Sequence, residues 1–296
     1  MINARRNAKV IAPTSFIRVG RRVPYLVTNF FVAVAVLAPA AALSDSRPLW
    51  EFGLGAVGLH LPDYRGSAES RSYVYPLPYL VYRGEVLRVD REGARAKFLE
   101  LGRARLDFSV HATPPVHSGD NRARDGMPDL DPTIEIGPML SISVIEGSQR
   151  NRRLNLRLPL RAVIATDLSH ARTAGFVFYP HLNFDTRLAG WDLGLQGGPL
   201  FGTGQYHRYF YGVDPMYATP ERPSYTARGG YSGFVGLASL SQRIGRLWLG
   251  GFVRYDALAG AAFEASPLVK RDHSLIAGIA FAWVFAESAV RVEVTE

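Results

Sequence analysis

Residues 278–285 read Gly278-Ile279-Ala280-Phe281-Ala282-Trp283-Val284-Phe285. Three aromatic rings occur at every second position of this stretch, and a period of two places them on one face of a β-strand. In a soluble β-sandwich that face would point into the core. Near the C-terminus of a chain that begins with an export signal, the pattern favours the closing strand of an outer-membrane barrel. There the aromatic face meets lipid, and the last ring, Phe285, lies in the interfacial girdle.

The N-terminus has the features of an export signal. Residues 1–24 contain six basic residues and no acidic ones, and an apolar run from Tyr25 to Leu43 follows. This run contains a small-residue stretch at 40–42. A basic region, an apolar region and a cleavage site in this order predict a secretory signal peptide over residues 1–42. A single membrane anchor is the alternative, because the 19 residues of the run can just span a bilayer.

Charge and composition exclude several classes of protein. Six of the 34 basic residues and none of the 26 acidic residues lie within 1–42, so removal of that segment lowers the formal charge from +8 to about +2. The remaining 254 residues therefore do not indicate nucleic-acid binding, and they are enough for one large all-β domain. The absence of cysteine excludes disulfides and thiolate metal sites.

Several segments of the mature chain alternate between apolar and polar residues. In residues 133–146, Ile134 begins an apolar face and Glu135 belongs to the polar one. The same alternation occurs in residues 104–112, 151–165 and 173–186. Such runs are long for soluble strands and match the length of a tilted bilayer crossing. The sequence thus predicts an all-β fold, a transmembrane antiparallel up-and-down β-barrel in the bacterial outer membrane.

The strand-like segments number about twelve. They are 50–60, 72–82, 86–91, 94–101, 104–112, 133–146, 151–165, 173–186, 190–201, 228–242, 246–258 and 273–285. With the N-terminus in the periplasm, the connections after odd-numbered strands are long with one exception, and those after even-numbered strands are short, as in outer-membrane barrels. Ten strands is the alternative, but merging the segments between 86 and 101 would place the long loop 113–132 on the periplasmic side. We therefore expect a barrel over residues 43–285 and a periplasmic tail over 286–296.

The inward face is predicted to carry charges of both signs. The candidate lumen residues are Arg105, Asp107, Glu135, Arg153, Arg157, Arg161, Asp185, Arg254 and Asp256. One interpretation is a selective, anion-favouring pore. The other is a network of paired charges that stiffens a narrow barrel, because a charge that cannot reach water is costly unless it is paired.

Two loops and two sequence pairs are candidates for chemistry. Residues 120–132 cluster four carboxylates, which can bind Ca²⁺ or form a salt-bridged turn, although the EF-hand pattern is absent. The aromatic loop 202–227 can bind sugars or partners, or can form an interface belt or pack into the barrel mouth. His117-Ser118 and Ser169-His170 are neighbours in sequence only, and no G-x-S-x-G elbow occurs. We predict a non-enzymatic protein without a cofactor or metal.

The chain resembles the MipA/OmpV outer-membrane family, the MltA-interacting protein family. The motifs that carry the resemblance follow one another along the mature chain. They are Pro62-Asp63-Tyr64-Arg65-Gly66-Ser67, Pro76-Leu77-Pro78-Tyr79, Tyr82-Arg83-Gly84, Gly126-Met127-Pro128-Asp129-Leu130-Asp131 within 121–132, Tyr211-Gly212-Val213, Tyr225 with Gly229-Gly230, and Ser266-Pro267-Leu268-Val269.

The resemblance implies an outer-membrane barrel with no catalytic residues. It further implies a scaffold that joins a lytic transglycosylase to a bifunctional penicillin-binding protein and so couples cutting and synthesis of peptidoglycan. A narrow pore for small solutes or antibiotics, and a surface adhesin, are the alternatives. Lipid is the expected surrounding, and nucleic acid is not an expected partner.

This chain departs from the family pattern at its end, because residues 286–296 continue past Phe285. The tail can pair with the sheet edge of a partner through its alternating valines, or can be disordered. The periplasmic turns 83–85, 150–153 and 243–246 are basic. They can attract acidic partners or contact phospholipid headgroups.

Overall fold

The computed structural model of the chain describes residues 46–83, 87–90, 93–96, 99–145, 152–167 and 169–293. The predicted signal peptide over 1–42 lies outside these residues, as do parts of the turns 83–85 and 150–153 and the last three residues of the tail.

Most of the described chain is β-strand. The first eight strands are β1 (Ser46–Pro48), β2 (Trp50–Pro62), β3 (Ser70–Arg83), β4 (Leu87–Asp90), β5 (Gly93–Ala96), β6 (Leu99–Leu101), β7 (Ala104–Thr113) and β8 (Thr133–Ile145). The others are β9 (Arg152–Thr166), β10 (Ala171–Phe178), β11 (His181–Leu188), β12 (Trp191–Gly202), β13 (Gly230–Ile244), β14 (Leu247–Ala257), β15 (His273–Glu287) and β16 (Arg291–Glu293). One helix, α1 (Gly204–Tyr211), lies in the connection between β12 and β13.

Fourteen strands form one sheet with antiparallel pairing between neighbours. The order is β5-β4-β3-β2-β15-β14-β13-β12-β10-β9-β8-β7-β6, with β11 also placed between β9 and β12. Two of the predicted strands are each divided in the structure, one into β5 and β6 and the other into β10 and β11. When each divided strand is counted once, the fourteen strands of the sheet correspond to the twelve predicted ones. The last predicted strand, β15, pairs with the first, β2, over ten residues. At the other end of the order, β5 also contacts β7.

The two faces of the sheet differ as the alternation predicts. Phe281, Trp283 and Phe285 are each about half exposed on the outer surface, whereas Ala282 and Val284 between them are buried. Leu, Ile and Phe side chains at alternate positions of the other long strands are likewise exposed. An apolar outer surface and a polar or packed interior are the arrangement of a barrel in lipid. The predicted fold class is therefore confirmed.

The connections at the two ends of the barrel differ in length. At one end, here called the outer end, lie the long connections 63–69, 114–132, 203–229 and 258–272. At the other, the inner end, tight turns such as Ala189-Gly190 and Gly245-Arg246 join the strands. Positive φ values of 50° at Ala189 and 84° at Gly190 make the first of these turns possible. The length rule of outer-membrane barrels predicts that the inner end faces the periplasm.

Both termini of the described chain meet at the inner end. β16 pairs antiparallel with β1, so that Val292 lies opposite Arg47. Trp50 then accepts a backbone hydrogen bond from Ser288 at 2.9 Å. The described part of the predicted tail therefore pairs with the chain's own N-terminal segment, and β15 itself extends two residues past Phe285. No helix among the described residues is long and apolar enough to cross a membrane.

Candidate functional site

One wall of the barrel interior is apolar. It is formed by inward side chains of β2, β3, β14 and β15, and its buried members are Val57, Leu59, Leu77, Tyr79, Val81, Trp248, Phe252, Ala280, Ala282 and Val284. Trp248 is 1 % exposed and lies against Tyr79, with ring centroids 6.0 Å apart. Because Trp248 follows immediately after the start of β14, it fills the inner half of the lumen.

The opposite wall, on β7, β8, β9 and β11, is charged. Near the inner end, Arg105 Nε lies 2.8 Å from Asp107 Oδ2, and the Asp107 side chain is 3 % exposed. Asn183 on β11 donates to Asp185 at 2.5 Å in the same half of the lumen. These buried polar side chains form hydrogen bonds and ion pairs with one another in place of bonds to water, as buried polar groups generally do.

A second group of ion pairs lies nearer the outer end. Arg161 Nε is 2.9 Å from Glu135 Oε2. On β14, Arg254 is 3.0 Å from Asp256, and Arg65 from the first outer connection approaches the same carboxylate to 3.5 Å. Two guanidinium groups therefore share Asp256, whose side chain is fully buried.

The structure places the remaining candidate lumen residues between these groups. Arg153 and Arg157 are inward on β9, at positions paired with Asp185 and His181 of β11, respectively. Arg157 is 8 % exposed. All nine candidate lumen residues thus lie on the inner face of the sheet. Arg105 with Asp107, and Arg254 with Asp256, pair within one strand, whereas Arg161 and Glu135 pair across two.

A cavity of about 280 Å³ lies in the outer half of the barrel. Its charged lining comes from Asp63, Arg65, Glu135, Arg157, Arg161 and Arg254. Its apolar lining comes from the facing strands and includes Leu59, Leu237, Phe252 and Ile276. Strands from around the whole order therefore enclose one space, with the charged wall facing the apolar wall.

The outer connections fold into a cap over this cavity. Ten buried apolar residues from four connections form its core: Tyr64, Val116, Leu130, Tyr211, Val213, Ala227, Leu258, Ala261, Phe263 and Leu268. The rings of Tyr211 and Phe263 stack with centroids 3.7 Å apart. Helix α1 supplies Tyr211, and Thr203 caps the helix by accepting a hydrogen bond from the Tyr206 amide. The aromatic loop thus packs into the barrel mouth, as one of the alternatives for it proposed.

Several family-motif residues hold the cap together by long-range hydrogen bonds. The Tyr64 hydroxyl donates to the Leu268 carbonyl at 2.9 Å, and the Tyr211 hydroxyl donates to the Arg65 carbonyl at 3.1 Å. Gly66, at φ 86°, donates its amide to Ser274 at 2.7 Å. Burial raises the pKa of the Tyr64 hydroxyl, despite the nearby Arg124 guanidinium.

The other motif residues join neighbouring connections or shape turns and strand ends. Asp63 accepts from Asn121 at 2.8 Å, and Gly126 turns the chain at φ 76°. Pro62 ends β2, and Gly212 follows α1. Met127 packs against the cap core, whereas Pro76 and Pro78 lie within β3.

The carboxylates of residues 120–132 point to separate partners. Asp129 accepts from the Ser118 amide at 2.7 Å and from His117 at 3.0 Å, while the adjacent Pro128 carbonyl accepts from the buried Arg124. Partial burial raises the pKa of Asp129, but these hydrogen bonds outweigh it and leave the pKa below its usual value. Asp131 pairs with Arg172 at 3.0 Å. This arrangement is the salt-bridged turn rather than a converging ligand set.

The pair Ser169-His170 lies in an exposed outer turn. Asp167 accepts hydrogen bonds from the amides of both residues and from the Ser169 hydroxyl. These bonds lower the pKa of Asp167 to about 2. A Ser-His-Asp triad needs the carboxylate on the imidazole, not on the serine, so this geometry is that of a turn.

The inner end contains a buried ionic cluster that the sequence analysis missed. Glu51 of β2 is 2 % exposed and pairs with Arg83 at 2.7 Å and with Arg243. Arg83 also donates to the Pro48 carbonyl at 2.7 Å, which ties β1 to the barrel. The sequence feature that could have revealed this cluster is Glu51, an acidic residue at an inward position of β2, together with the basic turns that contain Arg83 and Arg243.

Comparison with known proteins adds a family and a set of similar folds. A family model described as MltA-interacting protein MipA matches residues 54–285. Among solved structures, the COG4313 outer membrane channel from Pseudomonas putida F1 is 12% identical, covers 83% of this chain and 98% of its own, and gives a TM-score of 0.43. Outer membrane phospholipase A from Escherichia coli is 10% identical, with coverages of 80% and 93% and a TM-score of 0.32. No curated protein matches the sequence.

Proposed function

Because this outer-membrane β-barrel belongs to the MltA-interacting protein MipA family, we propose that it is a non-enzymatic scaffold of the cell envelope. In this proposal its periplasmic end holds a lytic transglycosylase and a bifunctional penicillin-binding protein together, which couples cutting and synthesis of peptidoglycan.

The observation that carries the proposal is the difference between the two ends of the barrel. The outer end is occupied by a cap with its own apolar core, so the lumen is not a wide open channel. The inner end consists of short turns and the paired termini. The length rule for outer-membrane barrels predicts that this end faces the periplasm. A protein that binds peptidoglycan enzymes needs a surface on that side.

The inner end is also rich in arginine. Arg103, Arg152 and Arg246 are exposed there, whereas Glu51 is buried and Glu287 is paired with Arg243 at 3.1 Å. A basic surface accelerates association with acidic partners and orients them. We therefore assign partner binding to these turns rather than to the lumen.

The test is capture of a purified lytic transglycosylase and a purified bifunctional penicillin-binding protein by the refolded barrel on a solid support. Replacement of Arg103, Arg152 and Arg246 by Glu should reduce capture at least about tenfold, because it reverses the charge at the binding surface. A matched control reverses the same number of charges at the outer end, at Arg228, Lys270 and Arg271. Equal capture by both variants, or none by the unmodified barrel, would contradict the proposal.

A narrow pore is the second candidate, and the arginine-lined cavity favours it. Steady currents across a planar bilayer that disappear when Arg157 and Arg161 are neutralised would replace the scaffold proposal. A folded barrel that carries no current would leave the scaffold as the function to test by capture.

A further inference from the structure

The cavity contains hydrogen-bond donors that the protein itself does not satisfy. The Tyr179 hydroxyl is buried, lines the cavity and has no hydrogen-bond partner among the described residues. Arg65, which also lines the cavity, has a buried nitrogen, Nη2, that makes no hydrogen bond, while its Nε contacts Asp256 only as an ion pair at 3.5 Å. A buried donor is costly unless it is paired, so an acceptor bound in the cavity would be stabilised by these groups.

The charges around the Tyr179 hydroxyl do not balance. The guanidinium groups of Arg65, Arg161 and Arg254 all lie near enough to act on it electrostatically. Among the described residues, two carboxylates pair with these three cations, Glu135 with Arg161 and Asp256 with the other two. Within this set of five side chains one positive charge is in excess, and a negative charge on a ligand would offset it.

The facing side of the same cavity offers an apolar surface beside Arg254. Leu237, Phe252 and Ile276 line it from β13, β14 and β15, across the lumen from the charged wall. The volume of about 280 Å³ lies at the lower end of ligand-binding pockets. The space therefore suits a small molecule with one apolar and one anionic end.

We infer that the capped cavity is a binding site for a small amphiphilic carboxylate, a monoanion with a compact apolar body. Its carboxylate accepts hydrogen bonds from the Tyr179 hydroxyl and the Arg65 guanidinium, and its apolar body lies against Phe252 and Ile276. This site is independent of the scaffold proposal, because it uses the lumen and not the inner turns.

The test uses benzoate as the probe and the full-length chain refolded in lipid nanodiscs. Saturable binding with a Kd below about 1 mM is expected by titration calorimetry. Benzyl alcohol, which has a similar ring and no charge, should bind at least about tenfold more weakly, because hydrogen bonds to a charged acceptor are the stronger ones.

Tyr179→Phe is the decisive variant. It removes a hydroxyl that has no partner in the empty barrel, so folding should be unaffected while benzoate affinity falls about tenfold or more. Tyr225→Phe makes the same chemical change in the cap, outside the cavity, and should bind as the unmodified chain does. If Tyr179→Phe does not fold, Arg65→Gln replaces it with the same expectation. Equal affinity for benzoate and benzyl alcohol, an unchanged affinity in the Tyr179 variant, or no saturable binding would overturn the inference.

Discussion

At the outer end of the barrel, four long connections share a core of ten buried apolar residues, whereas the inner end has short turns around the buried ionic cluster of Glu51. The outer end is therefore stabilised by burial of apolar surface, which is non-directional and spread over many contacts. The inner end depends on a few ion pairs, in which each partner is needed to offset the desolvation of the other.

This difference shows how one sheet supports two kinds of surface. Long loops can exclude water from each other and close the barrel mouth. Short turns cannot form a core of their own, so their charged side chains remain available to solvent and to partners. The comparison leads to four predictions, which begin with the largest expected effect.

Removal of an aromatic ring from the cap core should open the outer end alone. Phe263 is fully buried and stacks on Tyr211, so Phe263→Ala should cost the cap about 3–5 kcal/mol. The measurement is limited proteolysis of the refolded barrel, with cleavage expected in the outer connections. Met216→Ala, at a position 79 % exposed, is the control and should change nothing. Cleavage at the inner turns instead would contradict the prediction, because it would show that the two ends do not unfold separately.

Loss of the buried carboxylate should destabilise the inner end. Glu51→Ala leaves Arg83 and Arg243 facing each other without their shared partner, at a cost of about 3 kcal/mol. The urea midpoint of the refolded barrel, followed by tryptophan fluorescence, should fall. Glu287→Ala removes an exposed partner of the same Arg243 and should cost at most about 1 kcal/mol. Similar decreases of the urea midpoint in both variants would contradict the expectation that the buried ion pairs stabilise the barrel more than the exposed one.

A single methyl group can test the conformation of the cap. Gly126 has φ 76° and no atom within 4 Å of the position that a Cβ would occupy. Gly126→Ala should therefore cost about 1 kcal/mol through backbone strain alone. Gly119→Ala is the matched control, since its site is equally open and its φ is ordinary. Protease resistance of the outer connections should decrease only in the first variant.

Mild acid should loosen the cap slightly. The pKa of His207 lies below its usual value, chiefly because the imidazole is buried. The hydrogen bond to the Arg228 carbonyl raises this pKa but does not outweigh burial, and the positive charge of Arg65 lowers it further. The folded cap thus binds fewer protons than the unfolded one near pH 6, so its stability is complete above about pH 6.5 and falls as the pH decreases. Between pH 7.5 and 6 the loss is at most about 0.8 kcal/mol. Protease resistance should follow this change, and His207→Gln should remove the dependence on pH.

Much of the barrel could be predicted from the sequence because its signal is local. The alternation around Ile134 and Glu135 assigns the two faces of β8 without reference to any other strand. The connection lengths then give the strand count and the orientation of the barrel. The break at Tyr179-Pro180, which divides one predicted strand into β10 and β11, was not apparent from alternation that continues across it.

The candidate site was less accessible to sequence reasoning. The inward positions of Arg161, Arg254 and their neighbours followed from the period of two, but their partners did not. Arg65 lies in a connection where no periodicity exists, and the role of Tyr179 depends on the break between β10 and β11, which the alternation did not show. Glu51 was overlooked because a single acidic residue in a strand does not indicate which arginines pair with it in the folded chain.

The sequence by itself determined the strands, their faces and the long and short ends, since these depend on residues close together in the chain. The tertiary structure alone decided the cap, the cavity and the pairing of the charges. Tyr211 reaches the Arg65 carbonyl across 146 positions of the chain, and Gly66 reaches Ser274 across 208. Such contacts exist only once the sheet has curved and brought its distant strands around one lumen, so no local pattern encodes them.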